Sequence, residues 1–253
     1  MILDLLTYHD KIAPYAIVSR EWQSVIEKKN FSRLKLLPSC LDSLEQLGEQ
    51  QRGLVKHIWL NIELRDYTCR SCTRMESFTA TTANQGIMAT AITRLFFILA
   101  NWTQTRGGLT LELNAYSPSD VQHWFTGCYF GAKGESEPEV LGSECVLASS
   151  TIPYPHNVWR HGPPTEDALR RPFEPTILTF REELPSVQAV TKFVLRRQCR
   201  RQIDPSTLSH LWSKLPQLGE IIYEPWQLSE KVSQGVWDWR KKPLFRFHRA
   251  TQV

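Results

Sequence analysis

Cys69 and Cys72, in the run Tyr67-Thr68-Cys69-Arg70-Ser71-Cys72, carry the sharpest spacing signal in the chain. A Cys-x-x-Cys turn can set two thiolates on one zinc ion, but a structural site needs four ligands, usually with a second pair. Cys128 and Cys145 are too far apart to form that pair, and His57 and His123 stand alone in the sequence. The expectation is a loop with two reduced thiols and no metal. The run Arg196-Arg197-Gln198-Cys199-Arg200-Arg201 is the strongest charge cluster. Guanidinium forks match carboxylate and phosphate oxygens, so Arg196, Arg197, Arg200 and Arg201 form a candidate patch for an acidic or phosphorylated target. The competing reading is a solvated turn between a strand and a helix. His156 and His161 sit in a proline-rich stretch with Tyr154 and Trp159, without a nucleophile and orienting acid in a recognisable context. The sequence contains no G-x-S-x-G, H-E-x-x-H or G-x-x-x-x-G-K-[ST]. No catalytic residue and no cofactor is expected, so the chain reads as a non-enzyme.

Bulk composition narrows the classes further. With 253 residues, 42% apolar and nine Trp, the chain can bury a sizeable core, and disorder throughout is excluded. A net charge of +4 is too small to argue for nucleic acid, and no nucleic-acid-binding module is present. Six scattered cysteines without a secretory signal fit reduced thiols in the cytoplasm or nucleus. No run reaches eighteen uninterrupted apolar residues. The tail, with Trp237, Trp239, Phe245 and Phe247 among arginines and lysines, is broken by Pro243. It predicts a packed or frayed terminus, with no membrane contact.

The elements that would position these groups follow a strand, turn, helix rhythm. Arg33–Leu36 alternates as a strand, and Pro38-Ser39 opens a helix with Leu41, Leu44 and Leu47. Residues 54–64 predict the next strand, 66–85 a loop, and Ile87 to Leu99 a helix broken by Gly107-Gly108. Leu109, Leu111 and Leu113 mark a third strand, and Pro118-Ser119-Asp120 a turn entering a helix. From about 131 to 185 the periodicity dissolves into a long irregular insertion. Residues 187–195 predict a strand, Asp204-Pro205-Ser206 a helix start, and 218–223 a last strand. Strand centres near Leu34, Leu60, Leu111, Phe193 and Ile221 are separated by near-multiples of a leucine-rich unit of roughly 20–29 residues. LPSVQAV and LPQLGEI support an internal repeat. The fold class is α/β, and an irregular β-α solenoid is preferred. An open doubly wound sheet is the alternative, weakened by the lack of a glycine-rich phosphate loop.

The first thirty-six residues are organised differently, as a small helical unit. Ile2, Leu3, Leu5 and Leu6 make an apolar turn and a half, and Val18, Trp22, Val25 and Ile26 form a helical stripe. So small a unit cannot bury that surface alone, and either caps the larger domain behind it or faces a partner. ILDLL, a polar break, then AIVSREWQSVIEKKNFSRLKL resembles an F-box, the module that docks substrate receptors on the Skp1 adaptor of Cullin-based ubiquitin ligases. Val18-Ser19-Arg20 with Trp22 matches the V-S-x-x-W core, and Phe31 to Leu34 the closing apolar pair. YSPSDVQHWF, AVTKFVLRRQCRR and LPQLGEIIYEPW resemble fungal F-box proteins with degenerate leucine-rich repeats.

The resemblance implies an F-box over 1–36, a leucine-rich-repeat-like domain over 37–230 and a basic aromatic tail over 231–253. It implies a substrate-recognition adaptor in which Ile2, Leu3, Leu5 and Leu6 touch a Skp1-type adaptor, and through it a Cullin. Val18, Ser19, Trp22, Phe31 and Leu34 would form the core of the box, and an unknown protein substrate would sit on the repeats. A non-catalytic scaffold with a non-functional box is the alternative. The family's Leu-Pro and acidic opening lies one turn before ILDLL, so the expectation is a truncated box. The missing terminal cap points to a chain short at its other end also.

Overall fold

Five of the predicted strands form, and each lies beside its predecessor in the chain. The computed structural model describes residues 19–103, 107–121, 123, 165–196, 199–224, 226–228, 245–247 and 250–252. Helix α1 (Arg20–Ser32) leads into β1 (Arg33–Leu36), followed by a 3-10 turn at Pro38–Cys40. Then come α2 (Leu41–Glu45), α3 (Glu49–Leu54), β2 (His57–Glu63) and α4 (Phe78–Ala100). β3 (Leu109–Tyr116) and a second 3-10 turn (Pro118–Val121) precede α5 (Glu166–Phe173), β4 (Val190–Leu195), α6 (Pro205–Ser213) and β5 (Glu220–Tyr223). Strands β1 to β5 are parallel and adjacent in chain order. This order never reverses, whereas a doubly wound sheet has a reversal point.

One apolar row crosses the whole parallel sheet: Leu34, Ile58, Leu111, Phe193 and Ile221 are partners from strand to strand. The rows beside it on this face, Leu36, Leu60 and Leu113 among them, follow from the two-residue side-chain period. Against this face pack Leu41 and Leu44 of α2, Ile92, Leu95, Phe96 and Leu99 of α4, and Leu208 and Leu211 of α6. Each such fully buried side chain contributes about 1.5–3 kcal/mol. The helices cover this face because their apolar stripes have no other continuous surface to meet.

Several expected boundaries shift. The strand predicted over 54–64 is shorter, because Glu49–Leu54 forms α3. α4 starts ten residues or so before Ile87, inside the Thr- and Ser-rich stretch read as a loop. Ser77 caps it by accepting from the Ala80 N–H, and buried Asn84 receives the Arg65 N–H and donates to Glu76. Tertiary contacts thus outweigh the low helix propensity of threonine. By length and composition α4 could cross a membrane, yet its buried residues lie on the sheet. Within the stretch expected to be irregular, whose residues 131–164 lie outside those described, α5 forms, capped by Thr165 with Pro172 in its last turn. After it no helix or strand forms until β4, which starts at Val190 and not at the expected 187. At the far edge, β8 (Ala250–Gln252) returns antiparallel to β5, while β6 (Trp226–Leu228) pairs with β7 (Phe245–Phe247). The expected uncapped edge is therefore covered by a strand from the tail.

Gly107 and Gly108 set the entry to β3 with φ of +96° and +70°. A Cβ on Gly108 would clash with Thr191 Oγ1 and fall 2.8 Å from Thr191 Cβ, so rotating the threonine does not clear it. Gly108→Ala is expected to cost about 2–3 kcal/mol, from the left-handed backbone plus overpacking. Gly107→Ala meets only the tip of Lys56 and is expected to cost about 1–2 kcal/mol from the backbone alone. Urea unfolding of the two variants checks this; equal losses would show that β3 and β4 do not approach as described.

Candidate functional site

The predicted adaptor-contact residues Ile2, Leu3, Leu5 and Leu6, and Val18 of the predicted core, lie outside the described residues. Ser19 caps α1, its hydroxyl accepting from the Trp22 N–H at 3.2 Å. Trp22 is half-buried on that helix, Ile26 is its buried residue, and α1 packs on α3. Phe31 and Leu34 pack against the main core, and Leu34 belongs to β1, in register with Ile58. The segment assigned to the box therefore reaches into the sheet.

The arginine run divides in two. β4 ends at Leu195, so Arg196 emerges on the polar face, its Nε 3.3 Å from Glu112 Oε1. Arg197 is outside the described residues, and Arg200 is half-buried with its N–H on the Ala115 carbonyl. Arg201 turns inward and is only 4% exposed. Its Nη1 donates to Asp120 Oδ2 at 3.0 Å and its Nη2 lies 3.5 Å from Glu76 Oε1. Burial works against the guanidinium charge, but Asp120 and then Glu76 outweigh it and raise its pKa. The expectation of four arginines on one anion-binding patch is thus corrected for Arg201, which is buried and paired internally with Asp120 and Glu76.

Around that pair the loops leaving β2, β3 and β4 converge at the carboxyl edge of the sheet. Tyr67 donates its hydroxyl to Asp120 Oδ1 at 3.1 Å, and its ring lies under the Arg171 guanidinium, 4.3 Å away. Burial, then the Asp120 charge, pushes the Tyr67 hydroxyl far above its usual range, so it stays protonated. Arg171, on α5, donates to the carbonyls of Ser71 and Arg74 at 2.8 and 3.0 Å, and its Nη1 is 3.5 Å from Glu76 Oε1. Thr165 donates to the Thr73 carbonyl at 2.7 Å. Cys199 is buried, its thiol donating to the Arg201 carbonyl at 3.1 Å, and burial raises its pKa.

His123 also enters this cluster, which its position in the sequence does not suggest. Its ring centroid is 5.3 Å from that of Tyr67, and one of its ring nitrogens lies within 4.8 Å of the sulfurs of Cys69 and Cys72. The reading of His123 as isolated from the two thiols is therefore corrected. The physical reason is that residues just past neighbouring parallel strands meet at one edge, however far apart in the chain. That placement was the available sequence signal.

The sheet face opposite the core carries a second set. Two rows cross it: Arg33, His57, Thr110, Lys192 and Glu220, then Lys35, Trp59, Glu112, Val194 and Ile222. Glu112 is 2% exposed between His57 Nε2 at 2.8 Å and Arg196 Nε, so His57 is not isolated either. Lys35 Nζ and Arg33 Cζ approach the Trp59 ring to 5.0 and 5.8 Å. Lys192 Nζ is 2.7 Å from Glu220 Oε1. Trp59, Glu112 and Val194 are themselves buried, so what this face presents is charge of both signs, from Arg33, Lys35, Lys192 and Glu220.

The chain matches none of the protein-family profiles, curated proteins or solved structures compared with it.

Proposed function

We propose that this protein is a substrate-recognition adaptor of a Skp1–Cullin–F-box ubiquitin ligase. The amino-terminal helices would dock on a Skp1-type adaptor, and the sheet would hold a protein target. Supporting the second half is the strand order: each β-α unit adds one parallel strand beside the last, as in an irregular leucine-rich-repeat solenoid. That arrangement puts helices on one face and leaves the charged groups of the other, with Arg33, Lys35 and Glu220 exposed and Lys192 half-buried, for a partner. The first half rests on the sequence likeness around Val18-Ser19-Arg20 and Trp22. An adaptor of this kind forms and breaks no bonds. It raises the effective concentration of a target lysine near the ubiquitin-charged enzyme.

Co-expression of the gene's whole product with a Skp1-type adaptor tests the reading. The expected result is a complex that survives gel filtration, with Leu5→Asp plus Leu6→Asp weakening it by about 100-fold or more, as losing buried anchors of about 1.5–3 kcal/mol each requires. No complex, from this chain or from one extended upstream, would leave the non-catalytic scaffold reading with a non-functional box.

A further inference from the structure

We infer that Cys69, Cys72 and His123 bind a zinc ion, which joins the loop after β2 to the turn after β3. Tetrahedral zinc, with Zn–S of about 2.3 Å and Zn–N of about 2.0–2.1 Å, sets its ligand atoms roughly 3.5–3.8 Å apart. The three donor atoms here already lie within 4.8 Å of one another, so a contraction of about 1 Å completes the geometry. Cys72 and His123 are buried and Cys69 half-buried, so the site is shielded without being sealed.

The surroundings hold the ligands in place. The Cys69–Cys72 turn closes on itself, with Ser71 N–H on the Thr68 carbonyl at 3.0 Å and Cys72 N–H on the Cys69 carbonyl at 3.4 Å. Arg171 grips the Ser71 and Arg74 carbonyls from α5, which fixes that turn against the rest of the molecule. Tyr67 lies against the His123 ring at an interplanar angle of 32°. Oriented ligands of this kind bind metal more tightly than flexible ones.

Charge balance favours a divalent cation of this class. Arg171 and Arg201 are already matched by Glu76 and Asp120. On binding, each thiol releases its proton to solvent, and two thiolates, a neutral imidazole and Zn²⁺ sum to zero. A buried neutral complex avoids the desolvation cost of an unmatched ion. Thiolate and imidazole donors select zinc over the hard cations, and a water or further donor completes the four-coordinate shell.

The inference stands independently of the adaptor reading. It is tested on the full chain, purified under reductant and loaded with Zn²⁺ or Co²⁺ alone. Expected are one zinc per chain after dialysis, and a Co²⁺ form with thiolate-to-metal charge-transfer absorption. Cys69→Ser and His123→Ala should each lower zinc affinity by at least about 100-fold, more than loss of an outer-shell partner does, while Cys40→Ser changes nothing. Chelation of the wild type should lower its Tm by several degrees, which keeps the test alive if a variant fails to fold. Three results would overturn it: no retained zinc, no thiolate band in the cobalt form, or unchanged affinity in the Cys69→Ser and His123→Ala variants. A Cys69–Cys72 disulfide persisting under reductant, seen as a mass lighter by two hydrogens, would equally do so.

Discussion

Asp120→Ala is expected to destabilise the protein by about 3–5 kcal/mol, the cost of breaking a buried ion pair from one side. Asp120 is 1% exposed and has few alternatives around it. One oxygen accepts from the Ser117 N–H and Arg201 Nη1, both at 3.0 Å, and the other from the Tyr67 hydroxyl. Without it, the buried Arg201 guanidinium keeps the Arg200 carbonyl at 2.6 Å and, as its one carboxylate among the described residues, Glu76, 3.5 Å away and shared with Arg171. The urea midpoint reads the loss directly, and Tm should fall by about 10 °C. Asp120→Asn keeps the shape and part of the hydrogen bonding, so it should fall between. The instructive variant is Asp120→Leu with Arg201→Met. Apolar replacement of a whole buried pair is often close to neutral, so the double substitution should cost less than Asp120→Ala alone. If Asp120→Ala costs under about 1 kcal/mol, the range of a solvated surface pair, the cluster is not a buried one.

The contrast between what the sequence revealed and what it hid has a physical basis. Strand alternation has a period of two, and it placed Leu34, Leu111, Phe193 and Ile221 on the row they occupy. Only the β2 centre differed, Ile58 rather than Leu60, which is two residues away and on the same face. Helix α4 was found by its apolar stripe but not by its start, since Thr79, Thr81 and Thr82 carry no helical signal of their own. The polar cluster was hidden for a different reason. Tyr67, Glu76, Asp120, Arg171 and Arg201 come from separate segments, and local patterning carries no information on which charge meets which. An arginine run looks the same whether it faces solvent or a buried aspartate. What the order of strands does supply is an address: groups just after β2, β3 and β4 share one edge. Reading motifs by that address would have joined Cys69 and Cys72 to His123.

Phe193→Ala tests whether the sheet behaves as a stack of neighbouring units. Phe193 is fully buried at the middle of β4, with Leu111 and Ile221 as its register partners and the Trp212 ring edge-on at 6.0 Å. Truncation should cost about 3–5 kcal/mol for the cavity, plus about 0.5–1.5 kcal/mol for the lost aromatic pair. Phe193→Leu, which keeps most of the volume, should cost less than half as much. The distribution of the loss matters more than its size. Where each unit contacts only its neighbours, damage spreads a short distance along the sheet. Amide hydrogen exchange should therefore lose protection in β4, β5 and α6, and to a lesser degree in β3, while β1 keeps its own. Uniform loss from β1 to β5 would mean a single cooperative core. In that case the repeat-like reading would fail, because α4 and its long apolar face, rather than the succession of units, would be what unites the strands.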